Sequence, residues 1–140
     1  MKNIYLIIVF VVLTSCQQNE IQLDQLQGYW EISKAESSEG KSKSFTVNSN
    51  IDYIVLEDST GFRKKVKPLY SGKFQGSKDI EKFKLKETKD KVSLIYTTLY
   101  DTWEEEIMEL TAEKFVVKNS NGVTYTYNRY KALKEFDEEK

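Results

Sequence analysis

From about residue 29 onward, polar and apolar positions alternate with a period of two, and β-branched and aromatic residues fill the stretches between turn signals. A first strand is predicted over residues 29–35, with Trp30 and Ile32 on one face. After a Ser/Lys/Gly loop over 36–44, strands follow over 51–57 and 62–67, joined at Asp58-Ser59-Thr60-Gly61. Pro68 lacks a ladder donor, so it ends that strand or lies on an edge. A short strand over 70–75 precedes one over 80–86, in which Ile80, Lys82, Lys84 and Lys86 alternate with Glu81, Phe83 and Leu85. The strand over 91–98 groups Val92, Leu94 and Tyr96, and further strands are predicted over 102–110 and 114–119. Asn121-Gly122 signals a tight hairpin into the last strand, 123–131, which sets Val123, Tyr125, Tyr127 and Arg129 together. A helical turn is predicted over 21–26, and the charged tail 132–140 is expected to fray from a short helix.

Strands with one apolar and one polar face, joined by short links, make an antiparallel meander. Closing that meander removes its unpaired edges. The predicted fold is all-β, an antiparallel up-and-down barrel of eight to nine strands, with a β-sandwich as the alternative. Residues 102–110 fit no single register. Met108 and Leu110 inward would bring Glu104 and Glu106 with them, whereas Trp103 and Ile107 inward need the opposite phase. A bulge near Glu106 reconciles the two ends.

The N-terminus reads differently. Lys2 is followed by an unbroken apolar run from Ile4 to Leu13, and Leu13-Thr14-Ser15-Cys16 closes it. At about 1.5 Å per residue such a run covers only about half of a ~30 Å hydrocarbon core. It has the form of a secretory signal peptide, and its exit resembles the lipobox of bacterial lipoproteins. That resemblance implies cleavage before Cys16 and acylation of its thiol. Cys16 is the sole cysteine, and an unpaired thiol in an oxidising compartment would be a liability. Several acyl chains at ~0.8 kcal/mol per buried methylene make a durable anchor. Gln17, where Asp resembles an inner-membrane retention signal, favours the outer membrane, on its periplasmic face or at the cell surface. The expected organisation is a leader over 1–15, a lipidated tether over 16–25, a barrel domain over 26–131 and a tail over 132–140.

Composition narrows the chemistry. The chain has 21 basic and 22 acidic residues, interspersed, and no histidine. Nothing suggests a nucleic-acid surface. With Cys16 committed to lipid, neither a Cys/His zinc site nor a Ser-His-Asp or Cys-His centre can be built. There is no phosphate loop or nucleophile elbow. No catalytic residue, metal or cofactor is therefore expected; carboxylate-only catalysis is the minority possibility.

Leu26-Gln27-Gly28-Tyr29-Trp30 resembles the L-x-G-x-W entry of lipocalins, and residues 109–117 with 125–129 are similar to the final hairpin strands of small bacterial lipocalin-like lipoproteins. The resemblance implies that Gly28, Trp30 and Arg129 form a structural signature, with Arg129 stacked on Trp30 at the closed end of the barrel. It also implies a monomer that binds a small amphipathic or hydrophobic molecule non-covalently. Ligand-lining candidates from the inward faces are Tyr53, Val55, Phe83, Leu85, Leu94 and Tyr96, with Trp103 and Glu106 near the mouth; the same side chains would also serve to fill a core. Glu106 as an inward carboxylate would need a Lys or Tyr partner. The competing function is an envelope interaction protein with a filled barrel that acts through its outer surface.

Overall fold

The computed structural model describes residues 20–132. The predicted leader, the expected lipidation site Cys16 and the tail beyond residue 132 lie outside the described residues.

The chain enters along the last residues of a strand it meets much later. Ile21 bridges to Leu110 in parallel, with Gln22 N–H donating to the Leu110 carbonyl at 2.9 Å and Leu110 N–H to the Glu20 carbonyl at 3.0 Å. A 3-10 turn, Leu23–Gln25, follows. Ten strands come next: β1 (Gly28–Glu36), β2 (Ser42–Ser44), β3 (Ile51–Glu57), β4 (Thr60–Pro68), β5 (Phe74–Gly76), β6 (Glu81–Glu87), β7 (Val92–Thr97), β8 (Thr102–Leu110), β9 (Lys114–Asn119) and β10 (Thr124–Arg129).

Eight of these form a closed antiparallel barrel in the order β1-β3-β4-β6-β7-β8-β9-β10, with β10 returning to β1. The two short strands are additions to the wall. β2 pairs with the second half of β1, where β3 has left it, and β5 pairs with the end of β4 above its contact with β6. β2 lay within a predicted loop, because Ser42-Lys43-Ser44 has no apolar residue to reveal a strand.

Antiparallel order puts the β3–β4, β6–β7 and β8–β9 turns at one end, together with the 3-10 turn. The β1–β3, β4–β6 and β7–β8 links and the β9–β10 hairpin lie at the other, open end. The closed half is packed solid. Leu26, Trp30, Ile54, Leu94, Ile107, Leu110, Phe115 and Val117 are buried in one cluster, against which Ile21 and Leu23 pack. Each such side chain contributes roughly 1.5–3 kcal/mol of transfer free energy.

The signature residues lock this end. The Arg129 guanidinium lies 3.8 Å from the centroid of Trp30. It donates to the carbonyls of Ala112 (2.8 Å), Gln27 (3.0 Å) and Gln25 (2.5 Å), so it binds the barrel's last strand to the β8–β9 turn and the entry segment. Trp30 Nε1 donates to the Leu26 carbonyl at 2.8 Å. Gly28 has φ +132°, and a Cβ there would stand 2.5 Å from the Arg129 guanidinium. Glycine is needed at that position for both reasons.

Candidate functional site

Two strands decide what the interior of the open half contains. On β8 the register to β9 shifts between Ile107 and Glu109, leaving Met108 as the bulged residue. The extra residue lets Trp103, Glu105 and Ile107 point inward and still turns Leu110 into the core. The inward carboxylate is thus Glu105, not Glu106; the predicted bulge exists but lies two residues later, which reverses the phase at 105–106. On β4 the inner face carries Gly61, Arg63, Lys65 and Lys67 in alternation.

These residues meet in a charged layer across the barrel. Arg63 Nε donates to Glu81 at 2.8 Å and Nη1 to Glu105 at 3.3 Å, with the Arg63 and Glu105 side chains only 12% and 8% exposed. Trp103 Nε1 donates to the second Glu105 oxygen at 3.3 Å. The guanidinium lies 4.4 Å above the Tyr96 ring, which stacks on Trp103 at 5.0 Å and meets Phe83 edge-on at 5.4 Å. Nearby, Lys65 Nζ reaches the buried Asp52 at 2.6 Å. Burial lifts the Glu105 carboxyl above its ordinary value, with Arg63 and the Trp103 indole pulling it partly back. Burial alone would lower Arg63, but Tyr96, Glu105, Tyr127 and Glu81 outweigh it and hold the guanidinium charged. Burial also raises the Tyr96 and Tyr127 phenols. The Tyr96 hydroxyl is enclosed and has no hydrogen-bond partner among the described residues.

Ile32, Tyr125 and Trp103 are partly buried and pack against the core cluster. Six large hydrophobic side chains are exposed among the described residues, Val47, Leu69, Tyr70, Ile80, Leu99 and Tyr100, and all belong to the β1–β3, β4–β6 and β7–β8 links at the open end. A polar notch of about 340 Å³ opens between β4 and β5, lined by Asn50, Lys65, Lys67, Gln75, Gly76 and Ser77.

The predicted lining residues divide. Phe83, Leu94 and Tyr96 are interior and almost wholly buried, Trp103 flanks the charged layer, and Leu85 packs against the core. Tyr53 and Val55 do not face inward. The pairing Trp30↔Asp52 and Gly28↔Ile54 puts Asp52, Ile54 and Leu56 inside. Tyr53 stacks instead on Tyr29 on the outer wall at 4.7 Å, and Tyr29 on Phe74 at 4.1 Å. The stretch Ile51-Asp52-Tyr53-Ile54-Val55-Leu56 has apolar residues on both faces, and a polar Asp52 marked the wrong face as wet. Arg63 carried no sequence signal as an interior residue, since it lies among charged neighbours typical of a solvated face, and Asp52 is a lone carboxylate in an apolar run.

A closed eight-stranded meander with a 3-10 entry and an Arg-capped tryptophan at its sealed end defines a lipocalin-like barrel. The chain belongs to that family: the Lipocalin-like domain profile matches residues 26–117. Among solved structures it is similar to a lipocalin-like protein from Bacteroides uniformis ATCC 8492, at 12% identity and TM-score 0.49 over 76% of this chain and 99% of that one. It is also similar to an uncharacterized protein from Bacteroides eggerthii DSM 20697, at 16% identity and TM-score 0.46 over 75% and 99% of the two chains. A redesigned β-barrel is similar at 17% identity and TM-score 0.43, over 77% and 94%. No curated protein matches the chain.

Proposed function

We propose that the protein is an outer-membrane lipoprotein, anchored through Cys16, that binds a small amphipathic molecule non-covalently at the open end of its barrel and does so as a monomer. The observation that supports this reading is the buried Arg63–Glu105 layer beneath an apolar rim. Charged pairs inside a barrel stabilise it poorly, and apolar side chains of similar volume would fill the same space at least as well. A layer that carries a fixed cation, two carboxylates and an unpartnered phenol offers a polar head group its contacts, while Ile32, Tyr125 and the rim hydrophobics receive an apolar tail. These groups suit recognition; nothing in their arrangement calls for covalent chemistry.

Native mass spectrometry of the full-length Cys16→Ser chain, purified from its own host's envelope extract, tests the binding. A co-purifying small molecule that is lost on denaturation, and reduced by Arg63→Gln, supports it. A clean apo mass with no thermal shift against a lipid and metabolite panel removes it. Incorporation of an alkyne-bearing fatty acid into the wild-type chain but not into Cys16→Ser tests the anchor separately. A filled barrel working through its outer wall is the second reading, favoured by a groove on that wall.

A further inference from the structure

The outer wall carries a recess larger than the notch at the mouth. A groove of about 540 Å³ is lined by Val55, Glu57, Thr60, Gly61, Phe62, Lys82, Phe83, Lys84, Ile95 and Thr97. Register places most of them outside. Val55, Phe62, Lys82 and Thr97 form one cross-strand row over β3, β4, β6 and β7, and Thr60, Lys84 and Ile95 form part of the next. The opposite rows are interior, with Phe83 beside Tyr96 and Arg63 beside Glu81. The groove is thus separate from the barrel mouth, on the far side of the wall.

Its chemistry is two-sided. Val55, Phe62 and Ile95 give it an apolar strip, and its volume lies within the roughly 300–1,000 Å³ usual for small-ligand sites. Beside the strip, the outer face of β6 is lysine at each alternate position, Lys82, Lys84 and Lys86. Their partners across the wall are Phe62, Thr60, Thr97, Ile95 and Ser93, with no carboxylate among them. None of the three lysines has an ion pair within 4 Å among the described residues, although seven other cations do. Like charges in a row without opposite charges across the ladder are unfavourable. An anion bound there would relieve that repulsion. The one groove-lining carboxylate is Glu57, at the end of β3.

We infer that this groove binds a free, single-chain anionic amphiphile, with its acid group between Lys82 and Lys84 and its alkyl chain along Val55, Phe62 and Ile95. The hydroxyls of Thr60 and Thr97 stand beside the lysines as further donors. The inference does not depend on the reading of the mouth: Phe83 borders both the groove and the Tyr96 ring, but the lysines and the apolar strip of the groove lie outside the charged layer.

Laurate below its micellar concentration is the probe, titrated into the full-length Cys16→Ser chain and followed by amide chemical shifts. The expected result is saturable shifts at Val55, Phe62, Lys82, Lys84 and Ile95. Lys82→Gln/Lys84→Gln should weaken binding by about tenfold or more, the equivalent of ~1.4 kcal/mol, with an unchanged melting temperature. Dodecyl maltoside, with the same chain and no charge, should bind much more weakly. Shifts confined to Ile32, Trp103 and Tyr125 would overturn the groove and leave the mouth site standing. Equal binding of the two detergents, or no saturable shift, overturns the inference outright. Binding to phosphatidylglycerol vesicles without binding of free laurate would assign the lysines to a bilayer surface instead. An Ile95→Asp variant that stays folded and keeps full laurate affinity would also contradict it.

Discussion

Arg129 shows how much of the barrel can depend on one side chain. Its guanidinium serves three carbonyls from two separate segments and covers the face of Trp30. Hydrogen bonds from a charged donor are worth roughly 1.5–3 kcal/mol each at most, and the ring contact adds about 1 kcal/mol at partial exposure. Two of the three bonds are exposed, so water replaces much of what they contribute, and Arg129→Met should lower the unfolding free energy by about 3 kcal/mol, seen as a lower midpoint in urea with little change in slope. Arg129→Lys should recover less than half of that, since a point charge cannot reach three acceptors on a planar fork. A full rescue by Lys would reduce the contact to its charge. Glu105 makes a different kind of prediction. A carboxyl held above its unfolded value binds its proton more tightly in the folded state. Its contribution to stability is complete below about pH 4.5 and is lost as pH rises through the higher folded value. The unfolding free energy of wild type minus that of Glu105→Gln should accordingly fall across that mildly acidic window. Chemical denaturation at a series of pH values measures it, and a flat difference would contradict the lifted carboxyl.

At the scale of elements, legibility followed the contrast between the two faces of a strand. β3, β8 and β9 occupy the residues their patterning marks, and Trp30, Leu94, Tyr96 and Tyr127 face inward as alternation requires. The expected stack of Arg129 on Trp30 came from resemblance, and its geometry is present. Where both faces are apolar, as on β3, or both charged, as on β4 and β8, alternation loses its meaning and only the pairing partner fixes the phase. That is why Tyr53 and Val55 were assigned to the wrong side and Arg63 to neither. The β8 bulge is the sharpest case, because one extra residue decides which of three consecutive glutamates is buried. Deleting Met108 would force a choice between Leu110 in the core and Glu105 against Arg63. The expected outcome is a broadened, weakly cooperative thermal transition and loss of the near-ultraviolet signal from stacked Trp103 and Tyr96. Retention of both would show that β8 can slide without the bulge.

For the whole molecule, the proposed anchor and the barrel's polarity combine into an orientation. Glu20 is held at the sealed end through its carbonyl and Leu110. From Cys16 to Glu20 the chain can span at most about 14 Å when fully extended. A lipid on Cys16 would then keep the sealed end near the bilayer. The rim lies a strand length away, roughly 30 Å along the nine residues of β1 before tilt. Val47, Tyr70, Leu99 and Tyr100 would face away from the anchoring membrane, so the mouth would exchange its ligand with the aqueous phase or with a carrier, not with the leaflet beneath it. Nitroxide labels introduced singly by cysteine at Ser59, in the sealed-end β3–β4 turn, and at Tyr100, on the rim, can compare the two ends in the lipidated protein on vesicles. Broadening by a nickel chelate carried on lipid head groups should be strong at position 59 and weak at position 100. The reverse ranking would mean that the barrel lies over on its rim and takes its ligand from the bilayer. Equal broadening would mean that it rests on its side.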